Sequence, residues 1–172
     1  MTSTALPRIS VALALAALLA ACSSDPAVKK QRFLESGNAY AEDGKLREAI
    51  VEYRNAVQID PRFAEARVKL AAAYARIGDG RNALAEYVRA ADLMPDRADI
   101  QVMAGTYLLA ARETEGALHR ADLALKLDSS NVEAHVLRGN ALAGLKDLDT
   151  ALSEIEEAIR LGPNRSTSYA QL

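Results

Sequence analysis

The sequence predicts an all-α protein, a solenoid of helical hairpins, and three observations carry that prediction. The first is composition: of 172 residues 50% are hydrophobic and only 5% aromatic, Trp is absent and Ala dominates the apolar set, which favours close-packed helices over sandwiches or barrels. The second is a period. Pro61, Pro95 and Pro163, with Ser129 in the missing place, are spaced by thirty-four residues. The third is that each period holds two stretches of helical periodicity separated by a break.

The first thirty residues read as an address rather than as fold. Residues 1–8 are polar with one positive charge at Arg8, and Ile9 to Ala21 is an apolar run of thirteen residues interrupted only by Ser10. A bilayer takes roughly 20 residues to span, so this is an export signal, 1–21, and not a transmembrane helix. The run ends in Leu19-Ala20-Ala21-Cys22, which resembles the bacterial lipobox and implies that Cys22 is acylated and becomes the mature N-terminus. The alternative is a simple secretory peptide with Cys22 a bystander. Acyl chains contribute about 0.8 kcal/mol per buried methylene, enough to anchor a chain without a spanning helix. Ser23 follows the Cys where the enteric pattern places a retaining Asp, so the resemblance implies the outer membrane, facing the periplasm. Residues 22–29 are expected to be a short polar tether.

Counting from Lys30 gives repeats 30–63, 64–97, 98–131 and 132–165, whose positions are numbered here as slots 1 to 34. Slot 20 is Ala49, Ala83, Ala117 and Ala151; slot 27 is Ala56, Ala90, Ala124 and Ala158. Slot 8 is Gly37, Ala71, Gly105 and Gly139; slot 11 is Tyr40, Tyr74, Leu108 and Leu142; slot 24 is Tyr53, Tyr87, Ala121 and Ile155. In the first repeat Phe33, Gly37 and Tyr40 share one helical face, and Ala49, Tyr53 and Ala56 repeat the spacing after a break at Asp43-Gly44. Small residues at slots 8 and 20 let the two helices approach while slots 11 and 24 fill the space between them. Repeats three and four lack the aromatics and are expected to pack less tightly. After Pro163 the pattern restarts, with Tyr169 at slot 4 and Leu172 at slot 7, so residues 166–172 read as the start of a further helix, either a poor cap or part of a longer array.

Small residues at slots 8, 20 and 27, a large one at 11, an aromatic at 24 and Pro at 32 together resemble the tetratricopeptide repeat over residues 30–165. The resemblance implies a right-handed α-solenoid of helix-turn-helix units and a protein-binding rather than a catalytic role. The departures lie at slot 4, often Trp in the family, which here is Phe33, Arg67, Gln101 and His135.

Several chemistries are argued against by the residues. A formal charge of -2, from 21 basic and 23 acidic side chains, leaves no basic excess for a phosphate backbone, so nucleic acid is not an expected partner. One Cys and two His do not make a zinc site of the usual spacing, and neither a metal nor a cofactor is expected. No Gly-rich phosphate loop, His-Glu-x-x-His or Gly-x-Ser-x-Gly occurs, and no catalytic residue is assigned. His119 and His135 read as structural, and Glu154, Glu156 and Glu157 as a solvated helix face. Asn164-Arg165-Ser166 matches a glycosylation acceptor by chance.

The resemblance assigns slots 2, 5, 9, 12 and 13 of each first helix to a concave, partner-binding groove. Its expected contacts are slot 5, Leu34, Val68, Val102 and Val136, and slot 9, Asn38, Ala72, Thr106 and Asn140, with slot 12 (Ala41, Ala75, Leu109, Ala143) beside them. That gives an apolar floor, with an acidic rim at slot 2 from Glu65, Asp99 and Glu133 beside Gln31. The competing reading is that slot 5 packs between neighbouring repeats. The carboxylate-clamp variety of the family resembles Lys at slot 5 with Asn at slot 9; Asn38 matches and Leu34 does not. The expected partner is thus an apolar or amphipathic protein segment with basic flanks, held by a membrane-anchored scaffold in envelope assembly or secretion. The alternatives are a substrate-reading arm of a larger enzyme continuing beyond residue 172, and self-assembly through the last repeat. On the leading reading Cys22→Ala releases the protein from the membrane or leaves it unprocessed. Fractionation with mass spectrometry of the N-terminus checks this, and a wild-type protein free in the periplasm with an unmodified thiol would refute it.

Overall fold

A computed structural model of the chain describes residues 25–163, and among these it contains eight α-helices and no strand. They are α1 (Pro26–Glu42), α2 (Leu46–Ile59), α3 (Ala64–Arg76), α4 (Gly80–Leu93), α5 (Ala98–Ala110), α6 (Thr114–Leu127), α7 (Val132–Gly144) and α8 (Leu148–Leu161). The fold is therefore all-α and built of helix-turn-helix units, as the periodicity predicts. α2, α4, α6 and α8 begin at Leu46, Gly80, Thr114 and Leu148, the same slot of successive periods. α1 begins earlier than its counterparts. Asp25 accepts a hydrogen bond from the N–H of Ala27 at 2.8 Å and Pro26 occupies the first turn, where a missing N–H costs nothing. Residues 26–29, expected in the tether, therefore belong to the helix. The signal peptide, Cys22 and residues 166–172 lie outside the described residues.

One turn is used four times. At the end of each first helix the N–H of slot 16 reaches back to the carbonyl of slot 11: Lys45 to Tyr40, Asp79 to Tyr74, Glu113 to Leu108 and Asp147 to Leu142, at 2.9–3.0 Å. This closure forces slot 15 into the left-handed region, with φ of 75° at Gly44, 79° at Gly78, 64° at Arg112 and 67° at Lys146. Glycine accepts that conformation without penalty; Arg112 and Lys146 do not. Slot 16 then starts the second helix. Asp79 caps α4 through the N–H of Asn82 at 3.1 Å and Asp147 caps α8 through Thr150 at 3.3 Å. The Asn82 amide group and N–H hold the Asp79 carboxyl below its ordinary value. The second helices end alike whether or not Pro follows. Where Ser129 replaces the proline, Asp128 stays extended and accepts the hydroxyl and N–H of Ser130, at 2.7 and 3.0 Å, an Asx-type stop in place of a ring. Those two bonds hold the Asp128 carboxyl below its ordinary value.

Two compact units divide within α3, between Ala66 and Arg67. In the first unit α1 packs on α2. A methyl group on Gly37 would lie 2.5 Å from the Tyr53 ring, so only glycine lets the ring in. Lys30 closes the unit's last turn, 2.5 Å from Asp60 and over the Phe63 ring at 4.7 Å.

In the second unit Ala71, Ala83, Tyr87, Ala90 and Ala91 of α3 and α4 share one core with Ile100 and Ala104 of α5. Tyr107 of α5 stacks on Tyr87 with ring centroids 5.2 Å apart. The third hairpin, which lacks an aromatic at slot 24, is not loosely packed. Leu137 of α7 enters the space that Ala121 leaves and lies directly against Gly105. Ala117, Ala121 and Ala124 are fully buried. The fourth hairpin is close-packed between its helices too, since a methyl group on Gly139 would lie 2.8 Å from Ile155, although on α8 only Ala151 and Ala158 are buried.

Because a left-handed non-glycine residue costs about 1–2 kcal/mol while glycine adds unfolded-chain entropy of about 0.5–1, Lys146→Gly is expected to raise stability by about 0.5–1 kcal/mol. Arg112→Gly should do the same. Urea unfolding followed by circular dichroism measures both, and Gly78→Ala is expected to move the midpoint the other way.

Candidate partner-binding face

The apolar floor expected at slot 5 is largely core. Leu34, Val102 and Val136 are only 1%, 9% and 9% exposed, and Val68 is half-buried. Val102 packs with Ala124 of its own hairpin and Ala134 of the following first helix, and Val136 packs with Val132 and Ala158. At Val102 slot 5 thus sits where hairpins meet, whereas Val136 is spent within its own hairpin.

The solvent side of the first helices keeps slots 2, 9 and 13 of the expected set and adds slot 6 on α1, α3 and α5, but not on α7, where Leu137 at slot 6 is buried. On α5 these are Asp99, Met103, Thr106 and Ala110, all exposed. On α3 Lys69 and Arg76 are exposed and Ala72 half-buried; on α7 Asn140 and Gly144 are exposed, with Glu133 half-buried. α5 and α7 lie in contact, so Met103, Thr106 and Asn140 belong to one surface. In the first unit the stripe is Gln31, Glu35, Asn38 and Glu42.

The polar members are partly committed. Asn38 accepts the Tyr53 hydroxyl at 2.9 Å, which leaves its amide N–H groups as donors, and Thr106 donates back to the Val102 carbonyl at 2.9 Å. The acidic rim is weaker than the sequence implies. Asp99 takes two hydrogen bonds from Arg97, at 2.9 and 2.7 Å, which hold its carboxyl below the ordinary value and cancel its charge locally. Met103 went unrecognised in the sequence because helical periodicity alone does not say whether slot 5 or slot 6 faces the neighbouring hairpin.

The second unit also contains a feature that residue types alone conceal: slot 4 pairs with slot 23 of the same hairpin. Arg67 bonds Glu86, which also holds Arg89 at 2.9 Å. Gln101 donates to the Ala91 carbonyl at 2.9 Å and accepts from Arg120 at 3.0 Å, while Arg120 reaches Asp92 at 2.6 Å. His135 places Nδ1 2.7 Å from Glu154 and Nε2 3.1 Å from the Ser129 carbonyl, and Arg138 adds a 2.6 Å bond to Glu154. Glu154 is therefore part of the hairpin's interior and not of the solvated face assigned to it. Glu156 is exposed, Glu157 pairs with Arg160 at 2.5–2.7 Å, and His119 lies exposed on α6. Among the described residues no group of His, Cys, Asp and Glu is arranged to hold a metal ion, and no helix is long and apolar enough to cross a membrane.

Hairpins of this geometry, with small residues between their helices and a shared left-handed turn, are tetratricopeptide repeats. A family model for the TPR repeat matches residues 37–78, and one for the tetratricopeptide repeat matches residues 102–166. The chain resembles the structure of YrrB, "a TPR protein with an unusual peptide-binding site", at 18% identity over 83% of this chain and 75% of that one, TM-score 0.74. It also resembles MamA from Desulfovibrio magneticus RS-1, at 20% identity over 83% and 80% of the two chains, TM-score 0.72. PilF of Pseudomonas aeruginosa matches at 23% identity over 81% of this chain and 64% of that one, TM-score 0.63. At such identities the likeness is one of fold. A search of the curated proteins finds no significant relative.

The slot 4 to slot 23 pairs make a stability prediction. Removing one member of a buried ion pair strands the other, so Glu86→Ala is expected to destabilise by about 3 kcal/mol. Arg67→Met with Glu86→Leu, which leaves no stranded charge, should recover most of that loss, as thermal unfolding of the three variants would show.

Proposed function

We propose that this chain is a non-catalytic scaffold that binds an extended segment of a partner protein along the exposed stripe of the first helices of its second unit. The observation that carries the reading is the α5 stripe. Met103 is a large apolar side chain left 37% exposed between Asp99 and Thr106, beside Asn140 of α7. The polar groups on this face, Thr106 and Asn140, suit the backbone of an extended chain. Repeats of this kind bind peptide or protein partners, and the peptide-binding site ascribed to YrrB lies on a fold of the same type.

The same proposal includes anchoring. The lipobox-like Leu19-Ala20-Ala21-Cys22 supports acylation of Cys22, and Ser23 supports placement at the outer membrane, facing the periplasm. A fixed scaffold of this kind suits envelope assembly or secretion, where a partner is held at a surface. The partner segment is apolar or amphipathic; basic flanks matter less than the sequence suggests, because Arg97 already neutralises Asp99.

The test begins with a photo-crosslinker at Thr106 or Asn140, and at His119 as a control, to capture the partner from intact cells. With that partner in hand, Met103→Ser is expected to weaken binding about tenfold or more, and Asp99→Asn less than about threefold, since screened rim charges affect association rate more than affinity. Both positions are exposed, so helical content should not change. Binding that survives Met103→Ser but is lost on neutralising Glu65, Asp99 and Glu133 would mean that the face reads charge.

A further inference from the structure

We propose that Arg112 and Lys146, in the turns that follow α5 and α7, form a basic end to the partner-binding face and select a segment with a carboxylate about four residues from an apolar side chain. This rests on the proposed binding of an extended segment along α5 and α7, and adds a charge to what that face reads. Both residues stand at slot 15, where φ is 64° and 67° and where the first two repeats have Gly44 and Gly78. Glycine would be the more stable choice in either turn. A left-handed conformation kept by two basic residues points to a use other than stability.

Their charges are uncommitted as well. Arg67, Arg97, Arg120 and Arg138 of the same unit pair with Glu86, Asp99, Asp92 and Glu154. Arg112 and Lys146 are exposed, and among the described residues neither side chain makes a hydrogen bond or an ion pair. The two turns are neighbours: a methyl group on Gly144 would lie 2.9 Å from the Thr114 side chain, so the end of α7 rests on the start of α6. Of the acids nearby, Asp147 caps α8. Glu115 and Asp149 precede the buried Ala117 and Ala151 by two residues, which puts them about 200° around the second helix, away from the first. Glu113 stays exposed beside Arg112. These acids set like charge against a membrane of anionic lipid or a nucleic acid, but leave room for the single carboxylate of a peptide side chain.

Helix geometry sets the spacing. Arg112 lies nine residues beyond Met103, which at 1.5 Å per residue is about 13 Å along the stripe. An extended chain covers that distance in about four residues, and its residues i and i+4 project to the same side. The face between is small and exposed, with Thr106 and Ala110 of α5 and Asn140, Ala143 and Gly144 of α7, so the side chain at i+2 is accommodated. At the far end Arg97 neutralises Asp99, and the sign of the α5 stripe is therefore decided at its turn.

The test is selection of a random nonapeptide library, displayed on phage, by the full-length chain. Wild-type protein is expected to select peptides in which an aliphatic or aromatic residue is followed four positions later by Asp or Glu. The double variant Arg112→Gly with Lys146→Gly should keep the apolar preference and lose the acidic one, with a thermal midpoint no lower than wild type, so misfolding is not the cause. Met103→Ser should lose the apolar preference. A selected peptide, made synthetically, should bind the double variant about three- to tenfold more weakly than wild type, a difference that shrinks as salt is raised. Apolar peptides selected without an acidic preference would overturn this proposal and leave the scaffold reading standing; no selection above background would overturn both. A preference for phosphatidylglycerol over phosphatidylcholine vesicles that the double variant loses would assign the pair to a membrane, and would also overturn it.

Discussion

The close approach of the two helices in each hairpin is the constraint on which the rest depends. Ala49, Ala83 and Ala117 are buried without remainder, and at Gly37 even a methyl group would meet the Tyr53 ring. Interiors pack at crystal-like density, so helices brought this near leave a fixed volume to be filled by one large residue. Tyr53 and Tyr87 fill it from slot 24. Where that slot shrinks to Ala121, the volume does not stay empty, because Leu137 from the next first helix takes it. In the fourth hairpin Ile155 stands at that slot and packs against Gly139.

Polar chemistry inside the hairpins follows from the same geometry. Slots 4 and 23 face each other at the edge of the interhelical contact, where an aromatic is often found in this family. Here the second unit uses Arg67 with Glu86, Gln101 with Arg120 and His135 with Glu154. A half-buried charge at this position is tolerable only when a polar or charged partner is supplied. The pairs tie the two helices of each hairpin together, and Gln101 and Arg120 also reach back to Ala91 and Asp92 of the preceding hairpin; His135 and Glu154 are accounted for as one such pair.

Binding surface is what remains once these demands are met. Slot 5 is buried in the second unit, at Val102 between hairpins and at Val136 within one, which leaves Asp99, Met103, Thr106 and Ala110 of α5 and Asn140 and Gly144 of α7 exposed. That surface is mixed, with Met103 amid Thr106 and Asn140, and suits an extended chain.

The sequence by itself determined the period, the helix-turn-helix unit and the small-residue columns, because each is a local or strictly repeated constraint: 3.6-residue periodicity, a turn at slot 15, a stop after slot 30. It also supplied the lipobox-like run ending at Cys22, which only residue types can reveal. Which side of a first helix faces solvent was decided by tertiary structure, since slots 5 and 6 differ by one residue and about 100° on the helix, and only the seating of the next hairpin tells them apart. The same holds for Leu137 filling the space beside Ala121 and for Glu154 meeting His135 across nineteen residues. Such contacts depend on how far apart two helices settle, and that distance is set by the packing of many side chains at once.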